Sequence, residues 1–205
     1  MKKWNELPKV MQNDKVKYYY DILQEHEKEL KLKRAFDIIC SLIMIIILSP
    51  VLIILSVMIK LDSKGPVLFK QVRVTTYGRK FKIWKFRTMV NNADKLGTQV
   101  TTKGDARITR MGHLLRKIRL DELPQLFNVL KGDMTFVGTR PEVPKYTAHY
   151  TEEMMATFLL PAGVTSRTSI EYKDEEKLLE NAENADEVYI LSLIHISEPT
   201  RLLSI

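Results

Sequence analysis

The 205-residue sequence predicts an α+β protein that is mainly helical and carries one N-terminal membrane helix. Three patterns indicate this fold class. The chain is almost continuously apolar between Ile38 and Ile59, which is long enough for the hydrocarbon core of a bilayer. Two stretches within residues 67–89 alternate as the strands of a small β-hairpin do. Beyond Asp105, apolar residues recur at helical spacing, which predicts amphipathic helices at the membrane interface.

The composition favours an anionic partner. The formal charge is +7 and the isoelectric point is near 9.3, which suits nucleic acid, an acidic membrane surface or a phosphorylated substrate. Charge alone does not choose among these classes. The single cysteine, Cys40, excludes a disulfide framework within one chain, and the four histidines lack the paired spacing of a metal site.

Residues 1–34 form an N-terminal extension that the pattern predicts to be an amphipathic, interfacial helix. A partly disordered, solvated extension fits the composition equally well. The apolar residues at helical spacing are Val16, Tyr19, Tyr20 and Leu23. A signal peptide is excluded because more than thirty polar-rich residues precede the apolar run and no small-residue cleavage site follows it.

Residues 35–60 are the predicted membrane segment. Pro50 follows Ser49 near its middle, and a proline there removes a backbone donor and kinks the helix. Both flanks are basic, so the positive-inside tendency favours neither orientation and both ends are expected on the cytoplasmic face. A re-entrant helix that breaks at Ser49 and Pro50 satisfies both observations. An ordinary kinked single-pass helix is the alternative.

The hairpin is predicted from strands at residues 67–74 and 80–89, joined by a turn at Tyr77 and Gly78. The second strand is basic and aromatic, and Lys85 and Arg87 belong to its cationic set. Such a strand can bind nucleic acid, but it is more often a solvated sheet face. Beside a membrane it would face lipid head groups or a nucleotide diphosphate.

The second half of the chain predicts two successive helices. Residues 90–105 are predicted to form a loop that ends at Asp105. Asp105 is a suitable N-cap for a basic amphipathic helix that extends to Ile118. A second helix carries Pro124 in its first turn and closes at Gly132. The adjacent carboxylates Asp121 and Glu122 would then lie at or near the N-terminus of this helix, where the macrodipole favours negative charge.

Further elements are predicted towards the C-terminus. Residues 143–160 are expected to be helical, residues 164–172 extended, and residues 173–189 an acidic helix. The last segment, residues 191–205, has no clear periodicity and a composition unlike the preceding segment. It is interpreted as a non-native tail and excluded from the functional argument.

Asp121 and Glu122 could simply stabilise the start of a helix, and on sequence position alone this is the favoured explanation. Their basic surroundings indicate phosphate chemistry instead, since Arg116 precedes them and Arg140 follows in a turn constrained by glycine and proline. Paired carboxylates can hold Mg²⁺ together with substrate phosphates. A carboxylate can also attack phosphorus, while arginines offset the charge of the phosphoryl oxygens.

Several ordered segments closely resemble the bacterial sugar transferases, the monotopic phosphoglycosyl transferases of polyprenyl phosphate. The resemblance covers about residues 33–190. The matching segments are residues 33–37 with Ser49-Pro50, then 65–71, 84–89, 120–134 and 137–141.

The resemblance implies a Mg²⁺-dependent transfer of a sugar-1-phosphate from a UDP-sugar to undecaprenyl phosphate, with release of UMP. This would be the first membrane step of a surface glycan: capsule, exopolysaccharide, O-antigen or glycoprotein glycan. Asp121 matches the aspartate that becomes covalently phosphoglycosylated, and Glu122 matches its partner. Asp121 and Glu122 are also the expected metal ligands. The matched phosphate-binding residues are Arg116 and Arg140, with Lys85 and Arg87 beside the active site.

The resemblance also implies the location: the cytoplasmic face of a bacterial inner membrane, with residues 61–190 as the catalytic domain. The expected partners are the two substrates and membrane lipid, not nucleic acid, and a homo-oligomer is left open. One departure is Thr139, where the family usually has proline before the arginine. The alternative function is a non-catalytic, membrane-anchored basic adaptor that binds anionic lipid or nucleic acid.

Overall fold

The computed structural model describes residues 1–93 and 105–166. Within these residues the protein is mostly helical, with two small two-stranded sheets. The prediction of a largely helical α+β fold with one long apolar helix near the N-terminus is confirmed. The predicted acidic helix at 173–189 and the tail at 191–205 lie outside the described residues, as does most of the predicted loop at 90–105.

Helix α1 spans Asp14–Glu25 and begins at Asn13, whose side chain accepts a hydrogen bond from the amide of Val16. The four residues predicted at helical spacing are all buried in α1. They pack against a 3₁₀ helix at Met154–Leu159 and against Val74 in a hydrophobic core cluster. The N-terminal segment is therefore folded onto the rest of the protein, and the solvated alternative is wrong for residues 1–25.

Helix α2 spans Glu27–Asp62 and is 36 residues long, so it includes the charged segment that precedes the apolar run. It is long and apolar enough to cross a membrane. Its buried residues lie towards the two ends, whereas the middle exposes large apolar side chains such as Ile46, Ile47 and Ile53. The middle of α2 is thus an apolar surface with no packing partner among the described residues.

Helix α2 continues through Ser49 and Pro50. Pro50 cannot donate to the carbonyl of Ile46, four residues earlier, because proline has no backbone N–H. The hydroxyl of Ser49 donates to that same carbonyl at 2.8 Å. The serine thus satisfies the acceptor that the proline leaves open, and the predicted break does not divide α2 into two helices.

Strands β1 (Leu68–Thr75) and β2 (Arg79–Phe86) form the predicted antiparallel hairpin. The connection contains Tyr77 and Gly78, and both have positive φ, as the turn prediction requires. Phe81 and Ile83 of β2 are buried against Val129 and Met134. This contact attaches the hairpin to the elements that follow it in the chain.

Helix α3 spans Arg110–Lys117, and helix α4 spans Gln125–Lys131. Asp105 was predicted as the N-cap of α3, but the cap is Thr109, whose hydroxyl oxygen accepts from the amide of Gly112 at 3.0 Å. Asp105 instead binds the side chain of Arg107. The helix therefore starts later than predicted, because a hydroxyl nearer the helix competes successfully for the cap.

Strands β3 (Met134–Val137) and β4 (Ala162–Thr165) pair in parallel, and β3 was not predicted. Only the first two residues of the predicted strand at 164–172 belong to β4. Residues beyond 166 lie outside the described part of the chain.

The single helix predicted at residues 143–160 is wrong. The structure has a one-turn helix, α5 (Pro144–Thr147), and then the 3₁₀ helix at Met154–Leu159. Two threonine hydroxyls explain the interruption. Thr147 donates to the carbonyl of Pro144, and Thr151 accepts from the amide of Met154, so side chains replace helical backbone bonds.

Candidate active site

Asp121 and Glu122 lie in a 3₁₀ turn, Leu120–Glu122, between α3 and α4. They were predicted at or near the N-terminus of the second helix, and they lie just before α4, which begins at Gln125. Arg119 precedes the turn with φ 58° and ψ 21°, a left-handed conformation that is uncommon for a residue with a side chain. This backbone reversal redirects the chain from α3 and presents the two carboxylates side by side.

Lys85 of β2 reaches the turn, and its Nζ lies 2.6 Å from Oε1 of Glu122. Both side chains are about one quarter exposed, at 27% and 26%. Burial raises the pKa of Glu122, but the charge and hydrogen bond of Lys85, helped by Arg140 and Arg119, outweigh it and leave the pKa below its ordinary value. Glu122 is accordingly a carboxylate that stays ionised.

Asp121 is more deeply placed, with 9% of its surface exposed. Burial raises its pKa above the ordinary value; Lys85 and Arg116 act in the opposite direction, and the neighbouring charge of Glu122 adds to the rise. Its Oδ1 atom is buried and has no hydrogen-bond partner among the described residues. A buried carboxylate oxygen without a partner is costly, and it is suited to a cation or an electrophile supplied by a substrate.

Arg116 projects from the last turn of α3. Its Nε donates to the hydroxyl of Thr88 at 2.9 Å, which fixes the guanidinium next to the end of β2. The guanidinium lowers the pKa of Asp121 by its charge. The structure therefore brings Lys85, Arg116 and the two carboxylates together, although they come from three different parts of the chain.

Arg140 follows β3 in a turn whose neighbours are tightly packed. Gly138 lies against Gly163 of β4, and a Cβ on Gly163 would overlap the backbone nitrogen of Gly138. Arg140 itself is exposed, and its charge helps to lower the pKa of Glu122. The predicted phosphate-binding arginine is thus within electrostatic reach of the carboxylate pair.

Arg87 is placed differently from the other cationic residues. Its side chain is buried, with 5% exposed, and donates to the carbonyls of Ile59, Ser63 and Lys64 at the C-terminal end of α2. Gly65 makes room for it, since a Cβ there would overlap Nη1 of Arg87. In this structure Arg87 connects the hairpin to the C-terminal end of α2, and a phosphate role for it stays a prediction.

Two charged residues at the N-terminal end of α2 were not assigned a role from sequence. Asp37 is 3% exposed and accepts from the Thr135 hydroxyl at 2.6 Å and from the amide of Phe136 at 3.2 Å. Arg34 donates to the carbonyls at the end of α4. The sequence did contain a signal for Asp37, which is a single carboxylate next to an apolar run. Such a residue usually has a buried partner.

The donor groups at this site can be compared with what the predicted Mg²⁺ requires. Among residues 1–93 and 105–166 no three acidic, histidine or cysteine side chains cluster to form a protein-only metal site. Mg²⁺ commonly binds through one or two carboxylates and completes its shell with water and substrate phosphates. The partnerless Oδ1 of Asp121, adjacent to the ionised Glu122, fits that donor set.

Comparisons with known proteins show which family the chain resembles. The family model described as bacterial sugar transferase matches residues 28–198. A UDP-N-acetylgalactosamine-undecaprenyl-phosphate N-acetylgalactosaminephosphotransferase of Aeromonas hydrophila is 46% identical over 123 residues, which cover 60% of this chain and 29% of that protein.

Two further relatives cover more of the chain. A putative undecaprenyl-phosphate N-acetylgalactosaminyl 1-phosphate transferase of Bacillus subtilis is 41% identical over 66% of this chain and 75% of its own length. A UDP-glucose:undecaprenyl-phosphate glucose-1-phosphate transferase of Klebsiella pneumoniae is 39% identical over 78% of this chain and 35% of its own length. The chain therefore spans about a third of the longer relatives.

Proposed function

The chain belongs to the bacterial sugar transferase family, and from this premise we propose that it transfers a sugar-1-phosphate from a UDP-sugar to undecaprenyl phosphate, releasing UMP. The observation that carries the proposal is Asp121, a buried carboxylate between Lys85 and Arg116 with one oxygen that has no partner among the described residues. The relatives' names supply the acceptor and the class of reaction. The glycan made would be a capsule, exopolysaccharide or O-antigen.

The first step forms a bond between an Asp121 carboxylate oxygen and the phosphorus that bears the sugar. The bond from this phosphorus to the bridging oxygen breaks, and that oxygen leaves with UMP. Arg116 and Arg140 would hold the phosphoryl oxygens, whose charge is spread in the transition state. Lys85 holds Glu122 in place beside the reacting carboxylate.

In the second step an oxygen of undecaprenyl phosphate attacks the same phosphorus and forms the diphosphate link to the sugar. The acyl phosphate bond breaks, which returns Asp121 as a carboxylate. The two displacements make a ping-pong cycle with no net redox change. Because each step displaces one oxygen by another, the same residues can serve both.

Asp121 and Glu122 are the residues proposed to hold Mg²⁺. When bound, the ion would neutralise negative charge on the diphosphate of the donor. The ionised state of Glu122, which Lys85 favours, suits it for this role. Two carboxylates fill only a few of the coordination positions of the ion, so substrate phosphates and water would fill most of them.

We propose a re-entrant α2 with both ends on the cytoplasmic face of the inner membrane, and contacts at both ends of α2 support a common side. Arg34, near one end of α2, donates to carbonyls of α4. Asp62, at the other end, accepts from the amide of Met111 at the start of α3. Helices α3 and α4 belong to one folded unit with charged surfaces, which cannot extend through the hydrocarbon core. The contacts therefore favour one side of the membrane for both ends.

The test is UMP release by the purified protein with Mg²⁺, undecaprenyl phosphate and a panel of UDP-sugars. Asp121→Asn should abolish release, because the amide is not a nucleophile, and should abolish a mass increase of the protein when the acceptor is omitted. Asp21→Asn is the matched control, since Asp21 is an exposed aspartate of α1. Normal UMP release by Asp121→Asn would contradict the assigned nucleophile.

Topology is tested separately by cysteine labelling after Cys40→Ala. Single cysteines at Val10 and Val90, both exposed, should resist a membrane-impermeant reagent added from the periplasmic side if α2 is re-entrant. Labelling of one position and protection of the other would mean that α2 spans the membrane.

A further inference from the structure

We infer that Arg73 is a positioning residue for the phosphate-binding turn, setting where Arg140 points without itself touching the substrate. The inference rests on the proposed function for the role of Arg140. Arg73 lies on β1, and its Nη1 donates to the carbonyl of Pro141 at 3.0 Å. That carbonyl belongs to the residue immediately after Arg140, so the contact fixes the chain at the arginine.

The Arg73 side chain is itself held. Its Nε and Nη2 both donate to Oε1 of Gln71, at 3.1 and 2.7 Å. Gln71 and Arg73 are two residues apart on one strand and therefore share a face of the hairpin. The fork geometry of guanidinium lets one amide oxygen fix two nitrogens while the third nitrogen is aimed at the turn.

Backbone hydrogen bonds hold the turn at its other points. The amide of Val74 donates to the carbonyl of Glu142 at 2.9 Å, and the amide of Gly163 donates to the carbonyl of Thr139 at 2.7 Å. Arg140 thus lies between two carbonyls, on Thr139 and Pro141, that are each fixed by a donor from another element. Thr139 has the backbone freedom that a proline would lack, and the bond from Gly163 restricts it.

The arrangement explains how an exposed arginine can have a defined direction. Residues 141–143 are buried, and their contacts restrain the backbone on the C-terminal side of Arg140. Proline at the next position also confines Arg140 to extended conformations. The restraint from Arg73 comes from a charged side chain, and hydrogen bonds from charged donors are the stronger class. The same hairpin carries Lys85, so one element aligns both sides of the site.

The test uses four variants of the full chain in detergent: Arg73→Met, Arg73→Lys, Gln71→Ala and, as control, Arg79→Lys. Arg79 lies on β2, is about half exposed and pairs with Asp133. Hydrogen exchange of the Gly163 amide should be about tenfold faster in Arg73→Met, because the charge-assisted bond from Arg73 to the turn is lost. In Gln71→Ala exchange should be accelerated less, because only the support of the Arg73 side chain is lost. Arg73→Lys should lie between, and Arg79→Lys should match the wild type.

A second measurement is the affinity for UDP, used as the probe. Arg73→Met should weaken UDP binding about tenfold in the wild-type background and less than about twofold when combined with Arg140→Met, since the effect acts through Arg140. Unchanged Gly163 exchange would overturn the inference, and so would equal losses of UDP affinity in both backgrounds. If the wild type releases no UMP while exchange and binding behave as expected, the proposed function fails and the role of Arg73 stands.

Discussion

The two ends of α2 are attached to the same folded unit by different sets of contacts. At the N-terminal end the contacts are polar: Asp37 accepts from Thr135 and Phe136, and Arg34 donates to the end of α4. At the C-terminal end Leu55 and Ile59 are buried among Phe86 and Leu115, and hydrogen bonds from Arg87 to the carbonyls of Ile59 and Ser63 accompany this apolar contact. Between them, the apolar middle of α2 is exposed.

Polar and apolar contacts contribute differently to the attachment of α2. Hydrogen bonds are directional, so the contacts of Asp37 and Arg34 fix how the N-terminal part of α2 is rotated towards α4 and β3. Apolar contacts are non-directional and contribute roughly in proportion to the area buried. The polar end also touches the elements that carry the site, since α4 follows Glu122 and β3 leads to Arg140.

The largest effect is expected from Asp37→Ala, which breaks the polar end. The ammonium of Lys33, 3.7 Å from Asp37 and 24% exposed, would be left partly buried without its carboxylate. Loss of one partner of a buried pair costs about 3–5 kcal/mol of unfolding free energy. Chemical denaturation of the purified protein in detergent measures it.

The control for that prediction is the double variant Lys33→Met with Asp37→Ala, which removes the stranded charge. It should recover part of the lost stability. A double variant no more stable than Asp37→Ala would show that the ion pair does not account for the loss.

An intermediate effect is expected from Gly65→Ala, which acts on the C-terminal end without changing any charge. Gly65 has φ 133°, and an added Cβ would overlap the Arg87 guanidinium and displace it. Backbone strain and the disturbed hydrogen bonds should cost about 2 kcal/mol, measured by the same denaturation.

Gly78→Ala is the matched control for strain, since Gly78 has φ 72° and open space where an added methyl would lie. The excess loss in Gly65→Ala over Gly78→Ala reports the contact with Arg87. Equal losses in the two variants would mean that Arg87 does not need this close approach.

The smallest effect is expected from Ile59→Val, which trims the apolar contact. Ile59 is 1% exposed, and removal of one buried methylene typically costs about 0.5–1.5 kcal/mol, so about 1 kcal/mol is expected. Ile53→Val, at a position that is 65% exposed, should change the unfolding free energy by less than about 0.5 kcal/mol. A larger loss at Ile53 than at Ile59 would contradict the assignment of the buried end.

Sequence patterns correctly predicted the elements whose conformation depends mainly on residues close together in the chain. The alternation before and after Tyr77-Gly78 predicted the hairpin, and the apolar run predicted the long helix α2. The neighbouring positions of Asp121 and Glu122 needed no tertiary information. The start of α3 was missed because Thr109 and Asp105 are both acceptable caps, and the choice depends on what Arg107 binds.

Contacts between distant residues could not be predicted in this way. Asp37 and Thr135 are 98 residues apart, and Arg73 and Pro141 are 68 apart, so neither spacing leaves a periodic signal. Strand β3 was missed for the same reason: it has four residues, and its pairing with β4 depends on the chain between them. The sequence therefore indicated candidates for the chemistry, but not the residues that hold them.

The folded unit and the region that matches the family begin at different points of the chain. The match to the family begins at residue 28, whereas α1 shares a hydrophobic core with Val74 and Leu159. A protein trimmed to the matched region would expose that core on the face formed by the hairpin and the 3₁₀ helix at Met154–Leu159. The unit that folds is thus larger than the unit that resembles its relatives, and any shortened version for biochemical work should keep α1.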